Sequence, residues 1–302
     1  MIIDIHTHPF GFPSYRNLSD KIQTAADLVT FRTKYPELYR ARLTEKPVDF
    51  VDELVGNMDK YAIDKTLIQA TPGRLNNQQV ADAVKKHPGR LFGLGRIGHD
   101  QQARGYSDDP KPARESAPKE IAQCIEKYGF KGMGEITVRA FTLEIHPERV
   151  AKDLKPVMDA VAKYKLPIMF PTGWTQFPGQ LYFADPIFVD EIAARYPEVP
   201  IVLTKMGRGI DHYFQSALAV AMRNINVYFD TVGTTSSHLR TAVETIGSER
   251  IMFGTDWSGT WMWVRKPADL HSMRLKTVKD VKLSQEDEEN ILWKTASRLF
   301  GI

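Results

Sequence analysis

Apolar, β-branched runs alternate along the chain with segments whose apolar residues recur every three to four positions. The runs are Ile2–His6, Lys65–Ala70, Arg90–Ile97, Lys131–Thr137, Leu166–Pro171, Pro200–Lys205, Val227–Asp230 and Ile251–Asp256. After the first gap they recur roughly every 25–40 residues, the length of one strand, one helix and two loops. Unbroken apolar stretches such as Ile251-Met252-Phe253 suit parallel strands buried on both faces. Between the runs, Val51, Leu54, Val55 and Met58 trace one face of a helix at Val51–Tyr61, and Lys155–Tyr164 and Pro186–Tyr196 read the same way. Ser284 with Asp287 three residues on marks the start of a last helix that carries Ile291, Leu292 and Leu299. Eight strand–helix units in 302 residues predict an α/β fold, a (β/α)8 TIM barrel. A doubly wound sheet is the alternative, but no glycine-rich dinucleotide fingerprint follows the first strand.

Two segments are longer than a barrel needs. Phe10–Pro47 follows the first strand and Asp100–Pro118 the third; both leave C-terminal strand ends, where loops cover an active face. No composition shift divides the chain, which reads as one domain over 1–302. Composition narrows the class further. With 42% hydrophobic and 25% charged residues, the chain has a globular core and is neither disordered nor fibrous. Lys+Arg 40 against Asp+Glu 37 leaves +3 with no basic tract, so no nucleic-acid partner is expected. The single cysteine, Cys124, makes no internal disulfide. No apolar run nears the roughly 20 residues that span a bilayer. Asp4, His6 and His8 stand where a signal peptide needs an apolar stretch. A cytoplasmic setting with no membrane partner is the expectation.

The first strand ends in Asp4-Ile5-His6-Thr7-His8. Alternation puts His6 and His8 on one face, where two imidazoles at a barrel mouth reach one metal ion. The last strand ends in Gly254-Thr255-Asp256-Trp257. A carboxylate at that place reads as catalytic in a barrel, as a metal ligand and as acceptor of a proton from bound water.

With these residues in place, the chain resembles the amidohydrolase superfamily, in its amidohydrolase 2 branch. That branch holds aminocarboxymuconate-semialdehyde decarboxylase, resorcylate decarboxylase and pyrone-dicarboxylate lactonase. The resemblance spans nearly the whole chain. It rests on Ile3-Asp4-Ile5-His6-Thr7-His8, Phe130-Lys131-Gly132-Met133-Gly134-Glu135, Leu166-Pro167-Ile168 and Pro200-Ile201-Val202-Leu203. It continues through Asn226-Val227-Tyr228-Phe229-Asp230, Ile251 to Trp257, and Ala296-Ser297-Arg298-Leu299-Phe300-Gly301. It implies a barrel enzyme that uses a divalent metal, Zn²⁺ first, to hydrolyse or decarboxylate a small carboxylated substrate, aromatic or lactone. It also carries an expectation of dimers.

Two departures matter. Where the family has a histidine before Thr-Gly, this chain has Phe170-Pro171-Thr172-Gly173, and proline offers no ligand atom. Where the family has a histidine before Met-Gly, Thr204-Lys205-Met206-Gly207 supplies an ammonium, which is not a ligand either. Glu135, ending the fourth run, compensates in one reading: His6, His8, Glu135 and Asp256 make a two-nitrogen, two-oxygen set. In the other it is an ion-pair partner of Lys205 or Arg139. Lys205 reads as a clamp for a substrate carboxylate or oxyanion, or as acid, base or nucleophile.

Weaker candidates surround these. Arg96, His99 and Arg139 follow strands three and four and suit an acidic substrate. Trp174, Trp257, Trp261 and Trp263 suit an aromatic wall, with loop packing as the alternative. His212 and His238 read as structural or solvated. Three functions remain: a metal-assisted enzyme on a small acid, a metal-free barrel that relies on Lys205, and a non-catalytic paralogue that binds an acid.

Overall fold

The computed structural model describes all residues except 12–20, 22–24, 39, 41–45, 47, 71–75, 99–107, 175–180 and 259–269. Among the described residues, parallel strand segments line the interior: β1 (Ile3–His8), β2 (Lys65–Gln69), β3 (Leu91–Leu94), β4 (Ile168–Pro171), β5 (Ile201–Thr204), β6 (Val227–Asp230), β7 (Ile251–Met252) and β8 (Trp257–Ser258). They form two sheets, ordered β8-β1-β2-β3 and β4-β5-β6-β7. Met133 joins them on one side, bridging Gly95 to Ile168. On the other side the Ile5 N–H donates to the Phe253 carbonyl at 3.0 Å and the Asp256 N–H to the His6 carbonyl at 2.9 Å. Residues 251–258 are thus one run that pairs with β6 at its start and β1 at its end. Counting Met133 as one strand position and 251–258 as one strand gives eight, with a helix between each and the next: the predicted (β/α)8 TIM barrel.

Three expectations change in detail. The run Lys131–Thr137 is pared to a bridge at Met133, because Gly132 and Gly134 carry it against its neighbours. A Cβ on Gly134 would lie 2.7 Å from that of Met169. The run Ile251–Asp256 breaks after Met252. The Asp100–Pro118 segment is not all loop: a helix covers Lys111–Ala122, with Pro112 in its first turn. Of Phe10–Pro47, Phe10–Gly11 pairs antiparallel with Val48–Asp49 and a helix spans Ala25–Lys34. Its proposed covering role lies largely outside the described residues. The helix predicted from Ser284 starts there, the Ser284 Oγ accepting the Asp287 N–H at 3.1 Å. A π-turn at Asn290–Lys294 then frees the Ile291 carbonyl to accept the Phe253 N–H at 2.8 Å.

Inside the barrel, Ile3, Ile5, Leu67, Leu94, Met169, Val202 and Met252 pack together, sealed by Ala296 and Phe300. Ile3 and Ile5 are odd-numbered, yet the site histidines His6 and His8 are even. The register of β1 against β2 shifts between Asp4 and Thr7, and this irregularity switches which parity faces the axis. Two cavities of about 520 and 280 Å³ share Ile2, Glu288 and Leu292, at the N-terminal end and away from the histidines. Among the described residues no helix is long and apolar enough to cross a membrane.

Candidate active site

The C-terminal ends of the strands bring five predicted side chains together, all buried: His6 and His8 from β1, Glu135 beyond the Met133 bridge, Lys205 after β5, and Asp256 before β8. The Nε2 atoms of His6 and His8 are 3.2 Å apart. Asp256 Oδ1 is 3.6 Å from His6 Nε2 and 3.4 Å from His8 Nε2. These spacings match the roughly 3.3 Å edge of a tetrahedron whose donors stand about 2.0–2.1 Å from a common ion. His6, His8 and Asp256 are therefore a convergent metal-competent set. Glu135 stands beside it, with Oε2 at 3.5 Å from His6 and 3.7 Å from His8. Its Oε1 is engaged by Lys205 Nζ and by the Thr204 hydroxyl at 2.5 Å.

Asp230 is the residue that sequence reasoning missed. It ends β6 fully buried, and its Oδ2 lies 2.7 Å from His6 Nδ1. Such a contact fixes the ring and turns Nε2 toward the cluster. Its Oδ1 accepts the Lys205 N–H at 2.6 Å and the Val232 N–H at 3.1 Å. Asp4 does a similar job below. Its Oδ1 accepts the His6 N–H at 3.0 Å, its Oδ2 accepts the Thr255 hydroxyl at 2.5 Å, and His271 Nε2 approaches Oδ2 at 3.3 Å.

The electrostatics are unequal across the cluster. Burial and the Lys205 ammonium depress the His6 pKa, yet Glu135 and Asp230 outweigh them and lift it to about 10. Burial dominates at His8, whose pKa falls to about 3, so this imidazole is neutral, the form that ligates a metal ion. Burial opposes ionisation of Glu135 and Asp256, but the Lys205 and His6 charges outweigh it and hold both below the usual carboxylate range.

Lys205 is held by an unusual backbone. Residues 205–209 all have positive φ (76°, 37°, 77°, 54° and 74°), and Asp256 has φ 58°. Each non-glycine residue there costs about 1–2 kcal/mol, strain that collects where function needs geometry. Gly207 is obligatory, since a Cβ would lie 2.4 Å from the Phe214 nitrogen. Lys205 Nζ sits 3.4 Å from His6 Nε2 and 3.7 Å from Asp256 Oδ2. The same turn presents Arg208, also unforeseen. It donates to the Trp174 carbonyl at 2.9 Å, lies over that ring at 5.1 Å, and reaches 3.8 Å from Asp256 Oδ2.

The weaker candidates scatter. Arg96 is buried beyond β3, its backbone paired with the Asn77 amide at 3.0 and 2.7 Å. Arg139 lies over the Phe183 ring at 5.7 Å. Trp257 is fully buried in the outer hydrophobic core, so it packs the barrel and presents no accessible aromatic wall. Pro171 ends β4 without a donor, as expected. His238 stacks on Phe214 and pairs with Asp211 at 2.8 Å, a structural use, and His212 sits on the surface near Asp185. His99, Trp261 and Trp263 lie outside the described residues.

A barrel with a polar, strained C-terminal mouth and a convergent His-His-Asp set has the layout of an enzyme site. The comparisons make this specific. The family model described as Amidohydrolase matches residues 3–302, and the chain belongs to that family of enzymes. A gamma-resorcylate decarboxylase from Polaromonas sp. (strain JS666) is 25% identical, over 89% of this chain and 91% of its own. An uncharacterised TIM-barrel protein from Bordetella bronchiseptica superposes with a TM-score of 0.67 at 19% identity, covering 99% and 98% of the two chains. A dihydroxybenzoic acid decarboxylase from Polaromonas sp. JS666, solved with manganese and the inhibitor 2-nitroresorcinol, gives 0.59 at 17% identity over 99% and 96%.

Proposed function

We propose that this protein is a non-oxidative decarboxylase of a small aromatic carboxylate, assisted by a divalent cation. The observation that carries the reading is the convergence of His6, His8 and Asp256 within ligand spacing, beside the fixed cation of Lys205. The decarboxylases similar to this chain, one of them with manganese, support it. His6, His8 and Asp256 would hold the ion, and two imidazoles with one carboxylate accept Zn²⁺ or Mn²⁺. Such an ion supplies Lewis acidity toward a substrate oxygen.

The remaining work falls to this chain's residues. Glu135 Oε1 fixes the Lys205 ammonium, whose charge meets the substrate carboxylate. Lys205 Nζ donates a proton to the ring carbon bearing that carboxylate. The carbon–carboxylate bond breaks, its electron pair restores the ring, CO₂ departs, and Lys205 is reprotonated from solvent. Asp230 and Asp4 keep β1 and its imidazoles in place. A second reading is hydrolysis, favoured by one observation: Asp256 is held ionised and so is suited to take a proton from water.

Metal content and CO₂ release from hydroxybenzoates, before and after chelation, test the proposal. One metal per chain, CO₂ release lost on chelation and restored by Zn²⁺ or Mn²⁺, and loss of turnover in Lys205→Met support it. Lactone hydrolysis without CO₂ release selects the second reading. Turnover that survives chelation assigns the electrophilic work to Lys205 alone.

A further inference from the structure

The helix Leu270–Asp280 brings a second basic group to the mouth. Its His271 is fully buried against Asp4. One turn on, Arg274 is partly buried, and its Nε is fully buried with no hydrogen-bond partner among the described residues. Asp256 and Asp230 are within electrostatic range of this guanidinium, as is the like charge of Arg208. Both carboxylates are already engaged. Asp230 gives one oxygen to His6 and the other to two backbone N–H groups. Asp256 gives Oδ1 to the histidines and shares Oδ2 between Lys205 and Arg208.

The other mouth cations differ. Lys205 is matched by Glu135, and Arg208 is stacked and bonded on Trp174. A lysine in Arg274's position has an escape, since burial can neutralise it; a guanidinium stays charged at any ordinary pH. Among the described residues no anion touches this guanidinium, and a partly desolvated cation so placed is costly. Burial, foremost, and Arg208 both act against this charge.

We infer that Arg274 is a second anion subsite at the mouth, separate from Lys205, and that the substrate carries two acidic groups. This rests on the reading of the mouth as a small-acid site. The first group is the carboxylate met by Lys205, and the second is a carboxylate or ionised hydroxyl that takes the Arg274 fork.

Binding of unreactive probes tests this apart from turnover. Calorimetry on the full chain would compare benzoate with phthalate, isophthalate and terephthalate. At least one diacid should bind about tenfold or more tighter than benzoate, the strength of one charged hydrogen bond. Arg274→Met should bring that advantage within about twofold while leaving benzoate unchanged, and Arg274→Lys should keep part of it. Without ligand, Arg274→Met should also melt about 2 °C higher than wild type, because a partly desolvated charge with no contacting anion is gone. The inference is overturned if no diacid outbinds benzoate, if Arg274→Met weakens mono- and diacids alike, or if it lowers the melting temperature. Should Arg274→Met not fold, the Arg274→Lys ratio decides: an unchanged diacid advantage with a lower melting temperature marks a structural arginine. A protein that discriminates diacids yet releases no CO₂ leaves this inference standing and removes the decarboxylation reading.

Discussion

At the N-terminal end of the barrel, Ile3, Leu67, Met169 and Val202 interlock above Phe300, each fully or almost fully buried. A few residues along the same strands, the interior is filled by His6, His8, Glu135, Lys205 and Asp256. The floor satisfies every local preference: β-branched and long apolar residues on regular strands. The mouth violates several at once, with left-handed lysine, arginine and aspartate backbones and an irregular first strand. One half of the interior maintains the barrel; the other is held in a costly arrangement that the first half makes tolerable.

Substitutions should therefore separate cleanly between the two ends. The largest effect is expected for Asp256→Asn, which should lower turnover by roughly 10²–10⁴-fold with circular dichroism unchanged; a smaller loss removes Asp256 from the chemistry. Lys205→Met blurs the division, since it leaves Glu135 buried without its cation and should cost about 3–5 kcal/mol in urea unfolding. Adding Glu135→Gln should recover much of that loss, and failure to recover it breaks the ion-pair account. At the floor, Phe300→Ala should cost about 3–5 kcal/mol while kcat/KM per folded molecule stays at the wild-type value. A changed kcat/KM would show that floor and mouth are not separable. Asp230→Asn should weaken Zn²⁺ or Mn²⁺ binding roughly 10–100-fold in competition with a chromophoric chelator. The smallest effect is Ser284→Ala, a loss of about 1 kcal/mol from an N-cap far from the chemistry.

How legible each end was follows from the same contrast. Most strands and the helices Val51–Tyr61 and Lys155–Tyr164 stand in the sequence because burial on a regular element leaves a period. His6, His8 and Asp256 were legible because a polar residue at the end of an apolar strand has few other reasons to be there. Asp230 also ends a strand, but its meaning depends on His6 Nδ1 lying across the barrel, 224 residues away in the chain. Arg208 and Arg274 sit beyond the strands, on a turn and a helix, where a basic residue is normally a solvated one. Between the two uses the sequence offers for Trp257, wall or packing, only the structure decides, because adjacency to Asp256 says nothing about which side of the backbone its ring takes. The irregularity between Asp4 and Thr7 has no glycine or proline to announce it.

The seal beneath the barrel bears on how the molecule reaches its native state. Ile3 and Ile5 pack in one cluster with Ala296 and Phe300, so the last surface to be covered joins parts of the chain almost as far apart as it allows. The loop-closure cost rises only about 0.6 kcal/mol per doubling of length, so the finished contact is affordable. Its timing is another matter, because contacts of long sequence separation form slowly. The three strands β1-β2-β3 and the four strands β4-β5-β6-β7 can each assemble from neighbouring segments, while the β1–β8 pairing, the Ile5–Phe253 hydrogen bond and the Phe300 plug must wait for both to be in place. Refolding is thus paced by the meeting of distant segments, with an unsealed half-barrel exposing Leu67, Val202 and Met252 until it ends.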